Sequence, residues 1–338
     1  MSTLRDQTVV ITGASSGIGL AAALAFAQEG ANVVVAARRH APLEQAARRC
    51  EEVGVRALAV PADVTDAAQM RTLAQAAVEQ FGTIDIWINN AGLSLWGPFA
   101  DIPAESQARL IEVNLIGVIH GTHAALSFMR TKGRGVIINT ASFAGRIPQP
   151  FSAAYSASKF GVSGFTDALR YELATDTDIA VCGIYPTFVD TPTNIHSSNY
   201  TGRALRPVPP VLDPERVAKG MVDLARHPRR ALYLGAQHRL AAPFALAPES
   251  TGRVTARLAR QFLLRSGPRA EATDGTLFEP VQEGTSIRGD WGGPERRQAG
   301  RTALVALAGV AGFAAAALLL ARAGARPGAV RSQRSKRT

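Results

Sequence analysis

The sequence is poor in cysteine and aromatic residues, and it opens without a long hydrophobic run. Its 338 residues include two cysteines, Cys50 and Cys182, which are far apart and lack the spacing of metal ligands. We therefore expect free thiols in a reducing compartment, with no disulfide and no metal site. The first apolar run, Thr8–Thr12, is too short for the hydrophobic part of a secretory signal, so we expect a cytoplasmic N-terminal region.

Basic residues have no excess in the first 200 positions and are concentrated towards the C-terminus. Residues 1–200 hold 14 Lys and Arg against 17 Asp and Glu, residues 201–269 hold 13 against 4, and residues 291–338 hold 9 against 1. A basic surface of this kind suits anionic lipid or nucleic acid. Because the sequence has no DNA-binding module and no interleaving of aromatic with basic residues, we expect no nucleic-acid partner.

Short apolar runs alternate with longer helical stretches over the first 190 residues. Nearly continuous apolar runs are typical of strands buried on both faces of a parallel sheet. The alternation predicts an α/β fold with a doubly wound parallel sheet (Rossmann-like) and right-handed crossovers. The predicted strands are Thr8–Thr12, Asn32–Ala36, Arg56–Pro61, Ile84–Asn89, Gly135–Thr140, Ile179–Tyr185 and Ala231–Leu234.

The regular alternation ends after Pro192, and we expect the domain to be complete at residue 240 and to be followed by a C-terminal helical extension. We divide the chain into a compact domain (1–240), a basic amphipathic helix (241–265), a Gly/Pro-rich linker (266–300) and a hydrophobic helix with a basic tail (301–338). Residues 303–321 are 19 in number and carry no charge. A helix of that length just crosses a hydrocarbon layer of ~30 Å.

The C-terminal region predicts membrane contact, and its mode stays open. A single span through residues 303–321 would export the basic tail, against the positive-inside tendency. An interfacial attachment through an arginine-rich helix over residues 249–265 avoids that conflict. The alternative is a buried or self-associating helix without lipid contact.

A glycine-rich turn follows the first predicted strand and opens the first predicted helix. Residues 12–19 read TGASSGIG. Glycines permit a tight turn and a close approach to a pyrophosphate, and the helix N-terminus offers free N–H groups to that anion. The turn predicts a dinucleotide site, the alternative being a tight turn without a ligand. The expected ligand-binding residues of the turn are Gly13, Ser15, Ser16, Gly17, Ile18 and Gly19.

The spacing Gly-x-x-x-Gly-x-Gly resembles that of the short-chain dehydrogenase/reductase family, whose further motifs follow in order over about residues 5–235. The resemblance implies an adenine contact at the third strand end, an Asn-Asn-Ala-Gly motif beside the adenosine and a carboxamide contact after the sixth strand. The family usually has glycine after Pro186, and Thr187 stands there in this chain, which costs backbone freedom. The residues assigned in this way are Asp63, Val64, Asn90, Ala91, Gly92, Pro186, Val189 and Thr191.

Two arginines follow the second predicted strand, where an acidic residue would favour the ribose hydroxyls of NAD. Ala37 stands at that point, followed by Arg38 and Arg39. Guanidinium groups suit a 2′-phosphate through charge and their fork of donors. The pair predicts NADP(H) over NAD(H), the alternative being two solvated surface residues.

Tyr155 and Lys159 share one face if their segment is helical. Hydride transfer to a carbonyl leaves an alkoxide that needs a proton, and tyrosine with its pKa of ~10 can supply it if a neighbouring ammonium lowers that pKa. Ser142, just past a strand, would hydrogen-bond the substrate oxygen. By resemblance, Lys159 also holds the nicotinamide ribose, and Asn114 holds a water that links Lys159 to solvent.

These residues predict a nicotinamide-dependent oxidoreductase that interconverts a small-molecule alcohol and a carbonyl. The alternatives are a nucleotide-binding sensor or scaffold on the same fold without turnover, and a membrane-anchoring protein with a vestigial enzyme domain. The complete catalytic set favours the enzyme, and the resemblance implies a homo-oligomer. Apolar loop residues hint at a lipophilic substrate, or simply anchor the loops; they are Leu93 to Trp96, Phe143, Phe151, Phe188 and parts of residues 192–212.

Overall fold

The apolar runs of the sequence form the strands of a parallel sheet. The computed structural model describes residues 3–175, 177–289 and 291. The strands are β1 (Thr8–Thr12), β2 (Asn32–Ala37), β3 (Ala57–Pro61), β4 (Ile86–Asn89), β5 (Leu95–Trp96), β6 (Arg134–Thr140), β7 (Asp178–Pro186), β8 (Ser198–Asn199) and β9 (Ala231–Leu234). Among the described residues, seven of these strands pair in parallel in the order β3-β2-β1-β4-β6-β7-β9, and β5 pairs with β8. The predicted doubly wound fold is confirmed.

Helices connect successive strands and cover both faces of the sheet. They are α1 (Gly17–Gln28), α2 (His40–Glu51), α3 (Ala67–Phe81), α4 (Ala104–Ile111), α5 (Gly117–Lys132), α6 (Ala153–Leu173), α7 (Thr193–His196), α8 (Pro214–Arg226), α9 (Ala241–Leu246) and α10 (Pro248–Ala259). A wider π-helical turn over Glu112–Ile116 joins α4 to α5, and another over Arg260–Arg265 extends α10. The helical extension predicted after residue 240 is therefore present.

Side chains of the central strands alternate between two buried layers, as the pleat requires. Val9 and Ile11 of β1 pack in one cluster with α1, α2 and α8, and Val10 packs in the other with α3 and α5. All three valine and isoleucine side chains are fully buried. Since both faces are covered, polar residues would be costly at these positions, which explains the continuous apolar runs.

A buried polar network crosses the middle of the sheet between β4 and β6. The Asn89 amide nitrogen donates to the Asn139 amide oxygen at 2.8 Å and to the Thr122 hydroxyl at 2.9 Å. The Asn139 nitrogen donates in turn to the Thr166 hydroxyl at 2.9 Å. Each of the two amides has partners for its nitrogen and its oxygen, so their burial carries little penalty.

The cleft of the sheet lies where the connections of β1 and β4 diverge. The helix after β1, α1, packs on one face, and α5, which follows β4, packs on the other. Ligands of doubly wound sheets bind at this kind of switch point, outside the carboxyl ends of the strands. The end of β1 carries the glycine turn, and the end of β4 carries Asn90.

The segment expected to serve as a linker follows the surface of the domain. The Ala204 N–H donates to the Pro268 carbonyl at 3.0 Å, and Asn199 and Thr273 exchange two backbone hydrogen bonds. Residues 274–289, called the strap from here on, continue across the cleft. Glycine, proline and short polar residues indicate irregular backbone, but they do not reveal whether its hydrogen bonds go to solvent or to the protein.

The hydrophobic run of residues 303–321 lies outside the described residues. Within residues 3–175, 177–289 and 291, no helix combines the length and the apolar character needed to cross a membrane.

Candidate active site

The glycine turn at the end of β1 packs against the segment after β4. Gly13 has a φ of +68°, and a Cβ added there would stand 2.8 Å from the Ala91 Cα. A Cβ on Gly19 would overlap the carbonyl oxygen of Gly13 and come within 2.7 Å of the Asn90 amide nitrogen. Both positions therefore require glycine, because the backbone approaches too closely there for any side chain.

Asn90 holds the turn in place. Its side-chain nitrogen donates to the carbonyl oxygens of Thr12 and Gly13 at 3.0 and 3.3 Å. The Thr12 hydroxyl accepts from the backbone N–H groups of Asn90 and Ala91 at 3.0 and 3.2 Å. These bonds fix the ends of β1 and β4 relative to each other beneath the cleft.

Asp63 lies past the end of β3, at the edge of the cleft. Its carboxylate accepts from the Thr65 N–H at 2.9 Å and hydroxyl at 2.8 Å, and from Arg109 at 3.0 Å. Burial alone would raise the pKa of Asp63, but these hydrogen bonds and the charges of Arg109 and Arg38 outweigh burial and lower it. The carboxylate is thus an anion, and it accepts hydrogen bonds at the place where the resemblance puts the adenine. Val64, next in sequence, is buried.

Arg38 reaches the cleft and is engaged there by the strap. Its guanidinium donates to the Phe278 carbonyl oxygen at 2.8 Å and to the Thr276 carbonyl oxygen. Burial lowers the pKa of Arg38, and the nearby Asp63 charge partly offsets that effect. These hydrogen bonds disagree with the alternative hypothesis that Arg38 is a solvated surface residue.

Arg39 is more deeply placed, with 8% of its surface exposed. It donates to the strap carbonyl oxygens of Glu283 at 2.6 Å and Val281 at 3.2 Å, and to the Ser15 hydroxyl at 3.1 Å. Burial, followed by the charge of Arg38, lowers the pKa of Arg39. The structure therefore brings both arginines beside the glycine turn.

The open part of the cleft beside the turn measures about 190 Å³. It is lined by most of the residues that sequence reasoning assigned to a dinucleotide, together with residues that it missed: His196, Thr276, Pro280 and Val281. No local pattern marks these four residues, because their chain segments lie far from the glycine turn in sequence. Predicted residues that line the cleft are Gly13, Ser15, Ser16, Gly17, Ile18, Arg38, Arg39, Asp63, Val64, Asn90, Ala91, Gly92 and Thr191.

Helix α6 brings Tyr155 and Lys159 to one side. The Lys159 Nζ lies 5.8 Å from the centre of the Tyr155 ring and donates to the Thr140 carbonyl oxygen at 2.9 Å. The side chain of Ser142, which follows β6, lies near the Tyr155 hydroxyl and lowers the pKa of the phenol against the effect of burial. The phenol, the hydroxyl and the ammonium therefore converge at the ends of the central strands.

Asn114 lies in the π-helical turn between α4 and α5 and is fully buried. Its amide oxygen accepts from the Leu93 N–H at 2.8 Å, and its nitrogen donates to the Leu93 carbonyl at 2.9 Å and to the Ser158 hydroxyl at 3.2 Å. A Cβ on Gly92 would lie 3.2 Å from the Asn114 oxygen and 3.4 Å from the Lys159 Nζ. Asn114 and Lys159 thus border the same small space. Single π-helical turns inside helices are frequent at functional sites.

Burial dominates the ionisation of Tyr155 and Lys159. Desolvation raises the pKa of Tyr155, and the hydrogen bond with Ser142 offsets part of that rise. This direction differs from the lowering expected from a neighbouring ammonium, because the Lys159 ammonium is buried and donates to the Thr140 carbonyl. Desolvation lowers the pKa of Lys159 to about 8.

The segment after β7 closes the cleft from the side opposite Asp63. A Cβ on Gly17 would lie 3.3 Å from the Thr191 side chain, so Thr191 faces the turn, and Val189 bridges to Leu212. Thr187, the departure from the family pattern, packs where a side chain on Gly235 would collide with it. Gly235 thus makes room for the threonine after Pro186.

These residues fit a nicotinamide dinucleotide. A Cβ at Gly13 or Gly19 would fill the turn, and two arginines and a carboxylate line the cleft beside it. An apolar cluster packs beside Tyr155. Its buried members are Leu95, Ile102, Leu110 and Leu277, with Leu93, Ala154, Tyr155 and Tyr200 packed against them.

Comparison with known proteins gives consistent similarities. The chain matches the sequence profile described as short chain dehydrogenase over residues 7–200. It is 36% identical over 255 residues to the uncharacterized oxidoreductase YxnA of Bacillus subtilis, covering 74% of this chain and 72% of that protein. It is 42% identical over 193 residues to 3beta-hydroxysteroid dehydrogenase 1 of Eggerthella lenta, covering 56% and 74%. The X-ray structure of an alcohol dehydrogenase from the archaeon Thermococcus sibiricus, complexed with 5-hydroxy-NADP, aligns with a TM-score of 0.61 at 27% identity, covering 69% of this chain and 97% of that chain.

Proposed function

The chain belongs to the short-chain dehydrogenase family of oxidoreductases, and from this premise we propose that it transfers a hydride between NADP(H) and an alcohol or carbonyl substrate. The observation that carries the proposal is the approach of Ser142 and Lys159 to Tyr155, with Lys159 beside Gly92, which lines the same cleft as the glycine turn. A pure nucleotide sensor has no need of a proton donor in that position.

Each polar group of the site has a part in the proposed reaction. The nicotinamide, when bound, supplies or accepts the hydride. Tyr155 is protonated at neutral pH because burial raises its pKa, so it serves as the acid that protonates the oxygen of a carbonyl undergoing reduction. Ser142 donates a hydrogen bond to the same oxygen while negative charge develops on it.

Lys159 and Asn114 support the proton donor. Below its pKa of about 8, Lys159 is an ammonium and stabilises the phenolate that Tyr155 leaves after donating its proton. Asn114 borders the space beside Lys159. In the proposal, a water in that space would return a proton to Tyr155 by way of the lysine. In the direction of alcohol oxidation the same groups act in reverse.

The preference for NADP(H) rests on Arg38 and Arg39. Both guanidinium groups lie at the edge of the cleft, and the residue at the end of β2 is Ala37, which offers no carboxylate to ribose hydroxyls. Charge-assisted hydrogen bonds to a 2′-phosphate are stronger than those to neutral hydroxyls. NADP(H) therefore gains more from this edge than NAD(H) does.

The substrate we propose is lipophilic. One side of the proton donor is apolar, because Tyr155 packs against the buried leucine cluster together with the partly exposed Leu93 and Tyr200. Burial of an alkyl or ring system against such side chains is worth roughly 25 cal/mol per Å². The similarity to 3beta-hydroxysteroid dehydrogenase 1 of Eggerthella lenta supports a substrate of this character.

A screen of ketones and secondary alcohols of increasing apolar size tests the proposed reaction. We expect NADPH to be oxidised in the presence of hydrophobic ketones, with kcat/KM rising with the apolar area of the substrate. The readout is the absorbance of reduced nicotinamide. Tight NADPH binding without turnover of any compound would reject the enzyme and favour the sensor or scaffold instead.

We also propose that the C-terminal extension contacts anionic membranes. Helix α10 exposes Val254 and Leu258 at 39% and 54%, the following turn exposes Phe262, and Arg253 and Arg257 belong to the same helix. Apolar and basic residues together on a surface helix are suited to an anionic lipid interface. The domain boundaries predicted for this extension, and the helix predicted over residues 303–321, remain part of the proposal.

Vesicle sedimentation tests the membrane contact. The full chain is expected to sediment with vesicles that contain anionic phospholipid, and the double variant Arg253→Ala/Arg257→Ala should bind them more weakly, by about 1 kcal/mol per arginine. The matched control Arg48→Ala/Arg49→Ala removes the same charge from α2 and should bind as the unchanged chain does. Absence of the full chain from the vesicle pellet at low salt would refute the proposal.

A further inference from the structure

The strap lies across the place where a pyrophosphate would meet the glycine turn. The backbone N–H of Gly17, the first residue of α1, donates to the Ser286 carbonyl oxygen at 3.0 Å. Free N–H groups at this helix start are the ones that bind a pyrophosphate in dinucleotide sites. In the structure one of them is satisfied by the chain itself.

The strap also engages both arginines assigned to the 2′-phosphate. Arg38 and Arg39 donate to backbone carbonyl oxygens of residues 276–284. Beneath the strap the cleft retains about 190 Å³. Pockets that enclose drug-sized ligands measure roughly 300–1,000 Å³, and a dinucleotide is at least of that size. A dinucleotide and the strap in this position would therefore compete for the same donors.

The strap is tied down at both ends. At its start, the Asp274 carboxylate accepts from the Ser106 and Tyr200 hydroxyls at 2.7 Å each. At its end, the Arg288 guanidinium pairs with the Glu215 carboxylate at 3.1 and 3.0 Å. The Asp190 carboxylate accepts from the Gly289 N–H at 3.1 Å. The middle is held mainly through backbone carbonyls, which a phosphate can replace.

We propose that the strap is a built-in competitor for the dinucleotide and that cofactor binding displaces its residues 278–289 from the cleft. The inference rests on the proposed function, since it concerns the same cofactor. Phosphate oxygens are charged acceptors and bind guanidinium and helix-start N–H groups more strongly than neutral carbonyls do, which makes the exchange favourable. Because opening precedes binding of any dinucleotide, it reduces the apparent affinities for NADPH and NADH by one common factor.

Weakening the outer tie of the strap tests this competition. Arg288→Ala removes the ion pair with Glu215 at a half-exposed position, so we expect about 2- to 5-fold lower Kd values for NADPH and for NADH, with their ratio unchanged. Gly289→Ala is a second variant, because a side chain there would collide with the Thr191 carbonyl oxygen and lift the strap end without a change of charge. Arg230→Ala is the matched control: it removes an Arg–Asp167 pair of similar geometry, at 3.0 and 2.7 Å, and should leave both Kd values unchanged.

Hydrogen exchange of residues 278–289 gives an independent readout. Addition of NADPH to the unchanged protein is expected to accelerate backbone exchange in this segment. Slower exchange with NADPH, together with higher Kd values in both strap variants, would overturn the inference and make the strap a clasp over bound cofactor. Equal Kd values in all four proteins would overturn it while leaving the proposed function intact. If neither dinucleotide binds any of the four, the proposed function fails and this inference fails with it.

Discussion

Tyr155→Phe is expected to lower kcat for ketone reduction by about 10²- to 10⁴-fold, the range that a positioned proton donor contributes. The substitution removes the hydroxyl near Ser142 and keeps the ring. The Kd of NADPH should change little, because phenylalanine preserves the packing beside the dinucleotide and removes only one polar contact. Steady-state turnover with the best ketone of the screen, and NADPH titration followed by fluorescence, measure the two quantities.

Helix α6 offers a matched control for this variant. Tyr171 belongs to the same helix and is 60% exposed, so Tyr171→Phe makes the same chemical change away from the cleft and should retain full turnover. Turnover in Tyr155→Phe equal to that of the Tyr171 variant would show that the proton comes from another group. A loss of NADPH binding in Tyr155→Phe would instead indicate a structural role for the hydroxyl.

Arg38→Ala and Arg39→Ala are each expected to raise the ratio of the NADPH Kd to the NADH Kd by about 10- to 100-fold. Hydrogen bonds to charged groups contribute about 1.5–3 kcal/mol, and the 2′-phosphate is the part of the cofactor that NADH lacks. The ratio is the useful quantity, because both arginines also bind the strap and a change in strap opening cancels between the two cofactors. Isothermal titration calorimetry of each variant with NADPH and with NADH measures this ratio of Kd values.

An exposed arginine of the next helix serves as the control. Arg48 has 63% of its side chain exposed, so Arg48→Ala should leave the ratio of Kd values at that of the unchanged protein. A ratio unchanged in Arg38→Ala and in Arg39→Ala as well would contradict the proposed preference for NADP(H) and would assign both arginines to the strap alone.

The sheet and the elements of the candidate site were predictable because their signals are local. Val9, Val10 and Ile11 are buried on alternating faces of the sheet, and burial on both faces explains why the sequence of β1 is continuously apolar. Only glycine fits at Gly13 and Gly19, because a side chain at either position would collide with backbone a few ångströms away. Tyr155 and Lys159 lie one helical turn apart, so their convergence follows from helix geometry.

The course of the strap and the ionisation of the site were not predictable in this way. The contacts of Arg39 with Val281 and Glu283 join positions more than 240 apart in sequence, through backbone carbonyls that every residue type possesses. The direction of the Tyr155 pKa depends on burial, which the tertiary packing sets, and on where the Lys159 ammonium is aimed. Residue types and their spacing therefore indicate neither the course of the strap nor the direction of the Tyr155 pKa shift.

The asparagine pair at the centre of the sheet has a mechanical consequence. A slip of one residue between β4 and β6 would turn Asn89 and Asn139 to opposite faces and leave buried amides against alkyl groups. The hydrogen bond between the two asparagines therefore fixes the register of β4 against β6. The positions of Asn90 and Ser142, which follow these strands, depend on that pairing, so the spacing between the glycine-turn side of the cleft and Ser142 is decided in the interior of the sheet.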